Sequence, residues 1–340
     1  MQDIGQPRRS HLVQKYHEPQ VAVIVPYHNN YGAYVFDALL SVQQQTHTRF
    51  NCILVDDCSR EDEFEAAQKA VADIADARFR LIRADRNRGQ IPAVFLGMDA
   101  TESDFVSVLD PDDRYAPTFL ERLLAIHLNR RLFCPLVSCD QYYVNLHGGV
   151  ITGTSADDGA DRFDPETTSA EDMTFKSFGF HRFIPPDRPG WHWTSTSSMM
   201  FRRAALDLLR PGRELGYRNA FDGYCAQGAH MTGGSLFLRE PLVYRGLHDH
   251  NDFLRSTIFS MYQTRKKDDR TFPLYVYRID AVEAFLHNGG LDIFGADSVR
   301  DLLLAQFRGP ELPKLLEALP QLADMVGLRL EDGLPSDGQV

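Results

Sequence analysis

Tryptophan is nearly absent from this 340-residue sequence: there are two, and both fall in one tripeptide, Trp191-His192-Trp193. A basic surplus is missing too. Lys and Arg total 36 against 47 Asp and Glu, a formal charge of −11. That balance argues against a general nucleic-acid binder, which needs a basic stripe to replace phosphate counterions. The five cysteines are odd in number and show no C-x-x-C spacing, so they read as reduced thiols rather than a disulfide framework. No apolar run approaches the roughly 20 residues of a membrane-spanning helix; the longest clean strand-like stretch is Val21–Val25. The opening residues Met1 to Gln6 lack the basic-then-apolar pattern of a signal peptide, and no internal repeat recurs at a fixed period. These absences predict a soluble, cytoplasmic protein of one large or two modest domains, with enough apolar material for a core.

What is present alternates strand and helix signals through the first half, the pattern of a parallel sheet with crossover helices. Val21–Val25 reads as a buried strand ended by Pro26, and a helix follows with Val35, Leu39 and Val42 on one face. Cys52–Val55 is a second strand, stopped by Asp56-Asp57-Cys58-Ser59, and Ser59 with Asp62 has the spacing of a capping box. Phe79–Ile82 and Phe105–Leu109 read as further strands, with a helical stretch around Ala93–Met98 between them. From His147 to Asp172 the composition turns to Gly, Thr, Ser and Asp, which predicts a long mobile loop. Packed structure resumes around Thr194–Phe201 and Ala204–Leu209, and helices are expected at Ala281–Leu286 and Val299–Phe307. Lys266 to Arg270 is a charge run of the kind that covers a solvated helix face.

Ligands of an open α/β sheet collect at the carboxyl ends of its strands. Two acidic clusters fall there: Asp56-Asp57 after the second strand and Asp110-x-Asp112-Asp113 after the fourth. Crowded carboxylates resist joint ionisation unless a cation or hydrogen-bond donors neutralise them. Mg²⁺ or Mn²⁺ suits such a cluster, because these ions take one or two carboxylates plus substrate phosphate oxygens. The plain alternative is an acidic turn, since Asp and Pro both favour turns. A calcium loop is disfavoured by Arg114 and Tyr115, which stand where that pattern wants Asp, Asn or Gly.

Val21 to Asn29 (VAVIVPYHN), Ser41 to Thr46 (SVQQQT) and Ile53 to Ser59 (ILVDDCS) together resemble the opening of a family 2 glycosyltransferase. Asn87-Arg88-Gly89, Ala93 and Leu109 to Asp113 (LDPDD) continue the resemblance in order, over about residues 21–125; beyond that it is looser, through 196–202 and 221–251. The resemblance implies a GT-A fold: a Rossmann-like, mostly parallel α/β sheet flanked by helices, here with a C-terminal helical extension. It implies an extension at 1–20, a transferase domain at 21–255 with a nucleotide-binding half to about 127 and an acceptor half from 128, and a helical extension and tail at 256–340. The implied activity is inverting sugar transfer from a nucleotide-diphosphate donor, with a UDP-sugar favoured, to a glycan or lipid-linked acceptor. By this similarity Pro26, Tyr27 and His28 line the base pocket, Asp57 accepts a hydrogen bond from the nucleobase, and Asn87, Arg88 and Gly89 belong to the donor site. Asp110 holds the ribose or aids the metal, and Asp112 is the principal metal ligand. The chain departs from the family at His28, where Tyr is common, and at Phe95, where Asn or Arg is frequent.

Inverting transfer needs a carboxylate within reach of the acceptor hydroxyl to act as general base. The family carries it in a Glu-Asp pair before Gly and Tyr-Arg; here that place reads Phe221-Asp222-Gly223-Tyr224, which implies Asp222, with Glu214 as the fallback. A histidine beyond Tyr244-Arg245 is implied to complete the metal shell, His248 ahead of His250. Trp191, His192 and Trp193 follow a Pro-rich lead; tryptophan faces pack on sugar rings, so the tripeptide is expected to form an acceptor platform, the alternative being that the rings fill the core. With no spanning helix, the chain is expected to work at the inner membrane face by peripheral contact, as a monomer or a homo-oligomer, and without nucleic acid. Two rivals remain: a nucleotidyltransferase, which would want a Gly-rich basic loop where Pro26-Tyr27-His28-Asn29 stands, and a non-catalytic nucleotide-sugar or glycan-binding module.

Overall fold

The computed structural model describes residues 19–29, 31–145, 149–152, 177–178, 181–247 and 272–333. Strand β1 (Val21–Tyr27) is buried along its whole length. Its side chains alternate between two cores, Ala22 and Ile24 joining one, Val21, Val23, Val25 and Tyr27 the other. β2 (Phe50–Asp56) repeats the division, with Ile53 and Val55 on the first face and Phe50, Cys52 and Leu54 on the second. Such period-two sorting into two apolar layers is what a sheet covered on both faces requires. Helices α1 (Val35–Gln43) and α2 (Glu61–Ile74) supply the second layer through Val35, Leu39, Val42, Ala67 and Ile74. α3 (Gln90–Asp99) lies on the first, through Ile91, Val94 and Met98.

Parallel pairing joins β3 (Phe79–Arg83) to β2, β2 to β1, and β1 to β4 (Phe105–Val108). Beyond β4 the sheet is mixed. β10 (Met199–Arg202) runs antiparallel between β4 and β6 (Leu136–Val144), and β11 (Ser235–Gly246) lies parallel to β6. β9 (His181–Ile184) and β8 (Ser177–Phe178) complete the order β3-β2-β1-β4-β10-β6-β11-β9-β8. The short β5 (Arg114–Tyr115) pairs with β11, and β7 (Val150–Thr152) with β6. Helix α4 (Phe119–His127) also packs into the second layer.

The expected C-terminal helical extension is present as α7 (Leu274–His287), α8 (Gly290–Phe294), α9 (Ala296–Gln306), α10 (Glu311–Ala318) and α11 (Leu322–Val326), after α5 (Arg203–Asp207) and α6 (Gln227–Gly233). Phe285, Leu303 and Leu315 share one core with Ile24, Ile53 and Val55, so this extension closes the first face of the sheet.

Three local expectations change. β1 continues through Pro26 to Tyr27. The ladder to β4 has stopped at Ile24 opposite Val108, so the N–H that proline lacks falls where no strand waits for it. The capping box does not form: α2 starts at Glu61 without a side-chain cap, because Ser59 Oγ accepts the Asn29 N–H at 3.1 Å instead. Within the stretch expected to be a loop, Val150–Thr152 forms β7; 146–148 and 153–172 lie outside the described residues, as does the charge run at 266–270. Among the described residues no helix is long and apolar enough to cross a membrane.

Candidate active site

The parallel strands β1, β2 and β4 deliver Tyr27-His28, Asp56-Asp57 and Leu109-Asp110 to one end of the sheet. After β2, each of the two acids has partners within the protein. Asp56 is buried, accepts the Ser59 N–H at 3.0 Å and pairs with Arg83 at 3.2 Å. Asp57, also buried, accepts the N–H of Arg88 at 2.9 Å on one oxygen and that of Gly89 at 2.7 Å on the other. Asp57 therefore ties β2 to the Asn87-Arg88-Gly89 turn.

That turn needs its glycine. Gly89 has φ +99°, and a Cβ there would sit 2.6 Å from the carbonyl oxygen of Arg218. The Gln90 N–H donates to the same carbonyl at 2.7 Å, so residues 218–221 dock directly on the turn. Arg218 also reaches the Asn87 side-chain oxygen. This fixes the orientation of the Asn87 amide, whose nitrogen lies 2.8 Å from His28 Nε2. The Asn29 amide nitrogen is 2.9 Å from the same atom. Facing amide donors, Nε2 is the acceptor and Nδ1 carries the ring proton. Nδ1 is buried, without a hydrogen-bond partner among the described residues. The Arg88 guanidinium turns outward to Asp85 at 3.0 Å.

The second cluster is more crowded. Asp113 is buried, accepts the Ser197 hydroxyl at 2.6 Å and the Gly246 N–H at 2.9 Å. Asp110 accepts the Gln90 side-chain amide at 2.9 Å, and its own N–H donates to Ser197 Oγ at 3.0 Å. Gly246 lets the end of β11 pass Asp112, whose carbonyl oxygen would lie 2.4 Å from a Cβ at that position. Burial, and then the charges of Asp113, Asp112 and Asp222, hold the Asp110 carboxyl well above its ordinary range, against the opposing pull of Arg245. Burial and the Asp112 charge push Asp113 up to about 7, while Arg245, Ser197 and Gly246 pull it down. Four carboxylates and one arginine thus act on each other at the strand ends.

Asp222 opens a single turn of π-helix, Asp222–Ala226, that runs into α6. Phe221, Gly223, Tyr224, Cys225 and Ala226 around it are all buried, whereas Asp222 is half-exposed. The widened turn lets one polar residue leave an otherwise apolar segment, a common use of π-bulges at functional sites. Glu214, the fallback base, sits on the exposed surface, 3.9 Å from Arg86.

Several sequence-predicted residues lie elsewhere. Tyr27 is buried in the second core, with its hydroxyl donating to Glu63 at 2.5 Å, so its side chain lines no donor pocket. Trp193 is fully buried and donates its indole N–H to Ser235 at 2.9 Å, which removes it from an acceptor platform. Trp191 is half-buried against Trp193, ring centroids 5.4 Å apart. Burial lowers His192 to about 4. His248 and His250 lie outside the described residues. Sequence reasoning gave no role to Gln90, Ser197 or Arg245, and treated Asp113 only as a member of the acidic cluster. The one visible signal was the run of five hydroxyl residues at 194–198, all buried, in a segment expected to be packed.

Among the described residues, no group of three or more His, Cys, Asp or Glu is placed to hold a metal ion. The donor set still fits a hard divalent cation, because Asp110 and Asp112 are carboxylates in mutual repulsion, and such ions need only one or two of them when a diphosphate supplies the rest.

Comparison with known proteins gives a consistent pattern. The Glycosyl transferase family 2 profile matches residues 22–207, more than half of the chain. An uncharacterized glycosyltransferase of Nostoc sp. is 25% identical over 247 residues, 73% of this chain and 70% of that protein. The succinoglycan biosynthesis protein ExoO of Rhizobium meliloti is 36% identical over 106 residues, 31% of this chain and 29% of ExoO. Among solved structures, S. aureus TarS 1–349 with UDP-GlcNAc superposes with a TM-score of 0.51 at 15% identity, covering 90% of this chain and 81% of that one. The mannosyltransferase PcManGT of Pyrobaculum calidifontis, with GDP-Man and Mn²⁺, gives 0.50 at 16% identity, covering 92% and 75%. At those identities the likeness is one of fold.

Proposed function

The chain belongs to glycosyl transferase family 2, and from that premise we propose that it moves a sugar with inversion from a nucleotide-diphosphate donor to a hydroxyl of a glycan or glycoconjugate precursor. It is a glycosyltransferase; the donor base, the ion and the residue roles are the proposal. The observation that carries it is that Gln90 bridges Asp110, at the end of a parallel strand, to Phe221, which precedes Asp222 in the second half of the chain, and that the Asp222 charge acts on Asp110. A binding module would have no use for a base there, and a nucleotidyltransferase lies outside the family.

Asp222 is the general base, taking the proton of the attacking hydroxyl on the face opposite the leaving diphosphate. Asp112 and Asp110 would hold Mn²⁺ or Mg²⁺, which when bound offsets charge on the diphosphate. Arg245, already facing Asp110 and Asp113, adds fixed positive charge beside the same phosphates. Pro26, His28 and Asp57 surround the base, and the buried Nδ1–H of His28 offers it a donor. Trp191 is the acceptor-side aromatic that remains accessible. His248 is kept as the third metal ligand on family pattern alone. A UDP-sugar is favoured as donor; TarS is complexed with UDP-GlcNAc and PcManGT with GDP-Man and Mn²⁺, so both bases belong in the assay. The names of ExoO and of TuaG, a teichuronic acid relative in Bacillus subtilis, direct the acceptor search to surface polysaccharides and their lipid-linked precursors, approached by peripheral contact at the inner membrane face.

A panel of UDP- and GDP-sugars in a Mn²⁺-dependent donor-hydrolysis assay tests this reading. Asp112→Ala abolishes metal-dependent donor binding. Asp222→Asn keeps donor binding and loses turnover by about 10²–10⁴-fold; full turnover by that variant removes Asp222 as the base.

A further inference from the structure

We infer that Gln90 is a positioning residue that locks the donor-side carboxylate Asp110 to the segment carrying Asp222; this rests on the function proposed above. Its side chain bridges the two. Nε2 donates to Asp110 Oδ1 at 2.9 Å, while Oε1 accepts the N–H of Phe221 at 3.1 Å and of Ala220 at 3.4 Å. The amide cannot be the other way round, because backbone N–H groups only donate. The backbone of Gln90 is tied to the same segment through Arg218, and its neighbour Gly89 to Asp57. Gln90 thus joins the carboxylate that follows β4 to the residues that precede the π-turn, and Gly89 beside it reaches the carboxylate that follows β2.

Two further observations give the bridge a purpose. Ala220 has φ +110°, a conformation that L-residues rarely adopt and that persists only where surrounding contacts impose it. Both amides gathered by Gln90 Oε1 flank that strained residue. Two residues on, Asp222 leaves the buried run at the start of the widened turn. The acceptor half of Gln90 therefore holds the turn that aims the base, and the donor half holds Asp110 toward the donor. Neither half requires Gln90 to touch substrate.

The halves can be separated. Gln90→Glu keeps an oxygen for Phe221 and loses the donor to Asp110; Gln90→Lys keeps a donor for Asp110 and loses the acceptor. In donor hydrolysis, with the UDP- or GDP-sugar that the wild type turns over fastest in Mn²⁺, Gln90→Glu raises donor KM about tenfold and Gln90→Lys lowers kcat about tenfold, the scale of one lost hydrogen bond. Adding Ala220→Gly to Gln90→Lys restores kcat, since glycine adopts positive φ without needing the acceptor. Each single variant lowers the melting temperature by a similar amount, so stability does not account for the split between KM and kcat.

Wild-type kcat and KM in both variants overturn the inference while leaving the proposed function standing, provided Asp222→Asn is inactive. Equal losses in kcat and KM that track a fall in melting temperature, or failure of both variants to fold, assign Gln90 a purely structural role and also overturn it. A wild type that hydrolyses no donor in the panel overturns both.

Discussion

Two acidic clusters end neighbouring strands of one sheet, and the protein treats them in opposite ways. Asp56 and Asp57 are answered from within: four hydrogen bonds or ion pairs, from Ser59, Arg83, Arg88 and Gly89, meet their oxygens. Asp110, Asp112 and Asp113 receive Gln90, Ser197 and Gly246, yet burial and mutual repulsion still drive Asp110 and Asp113 toward protonation. The first cluster is a structural joint, tying β2 to Ser59, Arg83 and the Asn87-Arg88-Gly89 turn, whatever else Asp57 contacts. The second is left with surplus negative charge, which is what a site for a cation and a phosphorylated substrate needs. Adjacent carboxylates in equivalent positions of a fold are thus told apart by the donors that reach them, not by residue type.

Replacing one acid from each cluster is the strongest way to break this contrast. Asp57→Ala strands the buried N–H of Gly89, leaves the part-buried N–H of Arg88 to solvent and removes two charge-assisted hydrogen bonds, an expected loss of about 2–5 kcal/mol. Asp112→Ala relieves repulsion on Asp110 and Asp113 and so costs the metal-free protein less stability than Asp57→Ala does. Denaturant unfolding of both variants in EDTA checks the pair; equal destabilisation would erase the distinction.

A smaller effect concerns pH. The Asp113 carboxyl lies at about 7 in the folded chain, against about 4 unfolded. The folded state therefore binds more protons across that window, and this contribution to stability is present below about pH 4 and lost as pH rises to 7. Its ceiling is about 4 kcal/mol at 1.36 kcal/mol per unit. Melting temperatures in EDTA should fall between pH 4 and 7 in the wild type, less so in Asp113→Asn, and Mn²⁺ should offset the fall.

The first half of the chain was legible because its signals are local. Alternating Val, Ile and Leu in β1 and β2 announce buried strands, and an Asp directly after a strand is at the ligand end of a parallel sheet whatever follows. Even there, Ser59 was misjudged: its hydroxyl had two local uses, and contact with Asn29 won over the helix cap. Beyond β4 the determinants are long-range. β11 changes register opposite β6 around Pro241 and pairs with β5 and β9 as well, and no periodicity within 235–246 encodes that. Gln90 holds the backbone at a strained Ala220 and at Phe221, just before the π-turn that Asp222 opens, and neither feature leaves a mark in composition. Asp222 is proposed from family pattern, and no pattern directs attention to Gln90.

The smallest effect divides the Trp191-His192-Trp193 tripeptide, where neighbours in sequence again have different duties. Trp193 is enclosed, and its indole N–H enters a short relay: Trp193 donates to Ser235, and Ser235 donates to His230 Nδ1 at 3.0 Å. The direction is set because His230 Nε2–H donates to the Arg188 carbonyl at 3.0 Å, leaving Nδ1 as the acceptor. Burial holds His230 down at about 3, so the ring is neutral and the relay complete at neutral pH. Trp193→Phe keeps the ring but removes the N–H at the head of the relay, an expected cost of about 1–2 kcal/mol with no change in acceptor KM. Trp191→Phe leaves stability within about 0.5 kcal/mol and raises acceptor KM a few-fold if its exposed face carries the sugar. Thermal unfolding and transfer kinetics on the same two variants read both effects. A stability loss from Trp191→Phe as large as that from Trp193→Phe would make the tripeptide core throughout and move the acceptor site elsewhere.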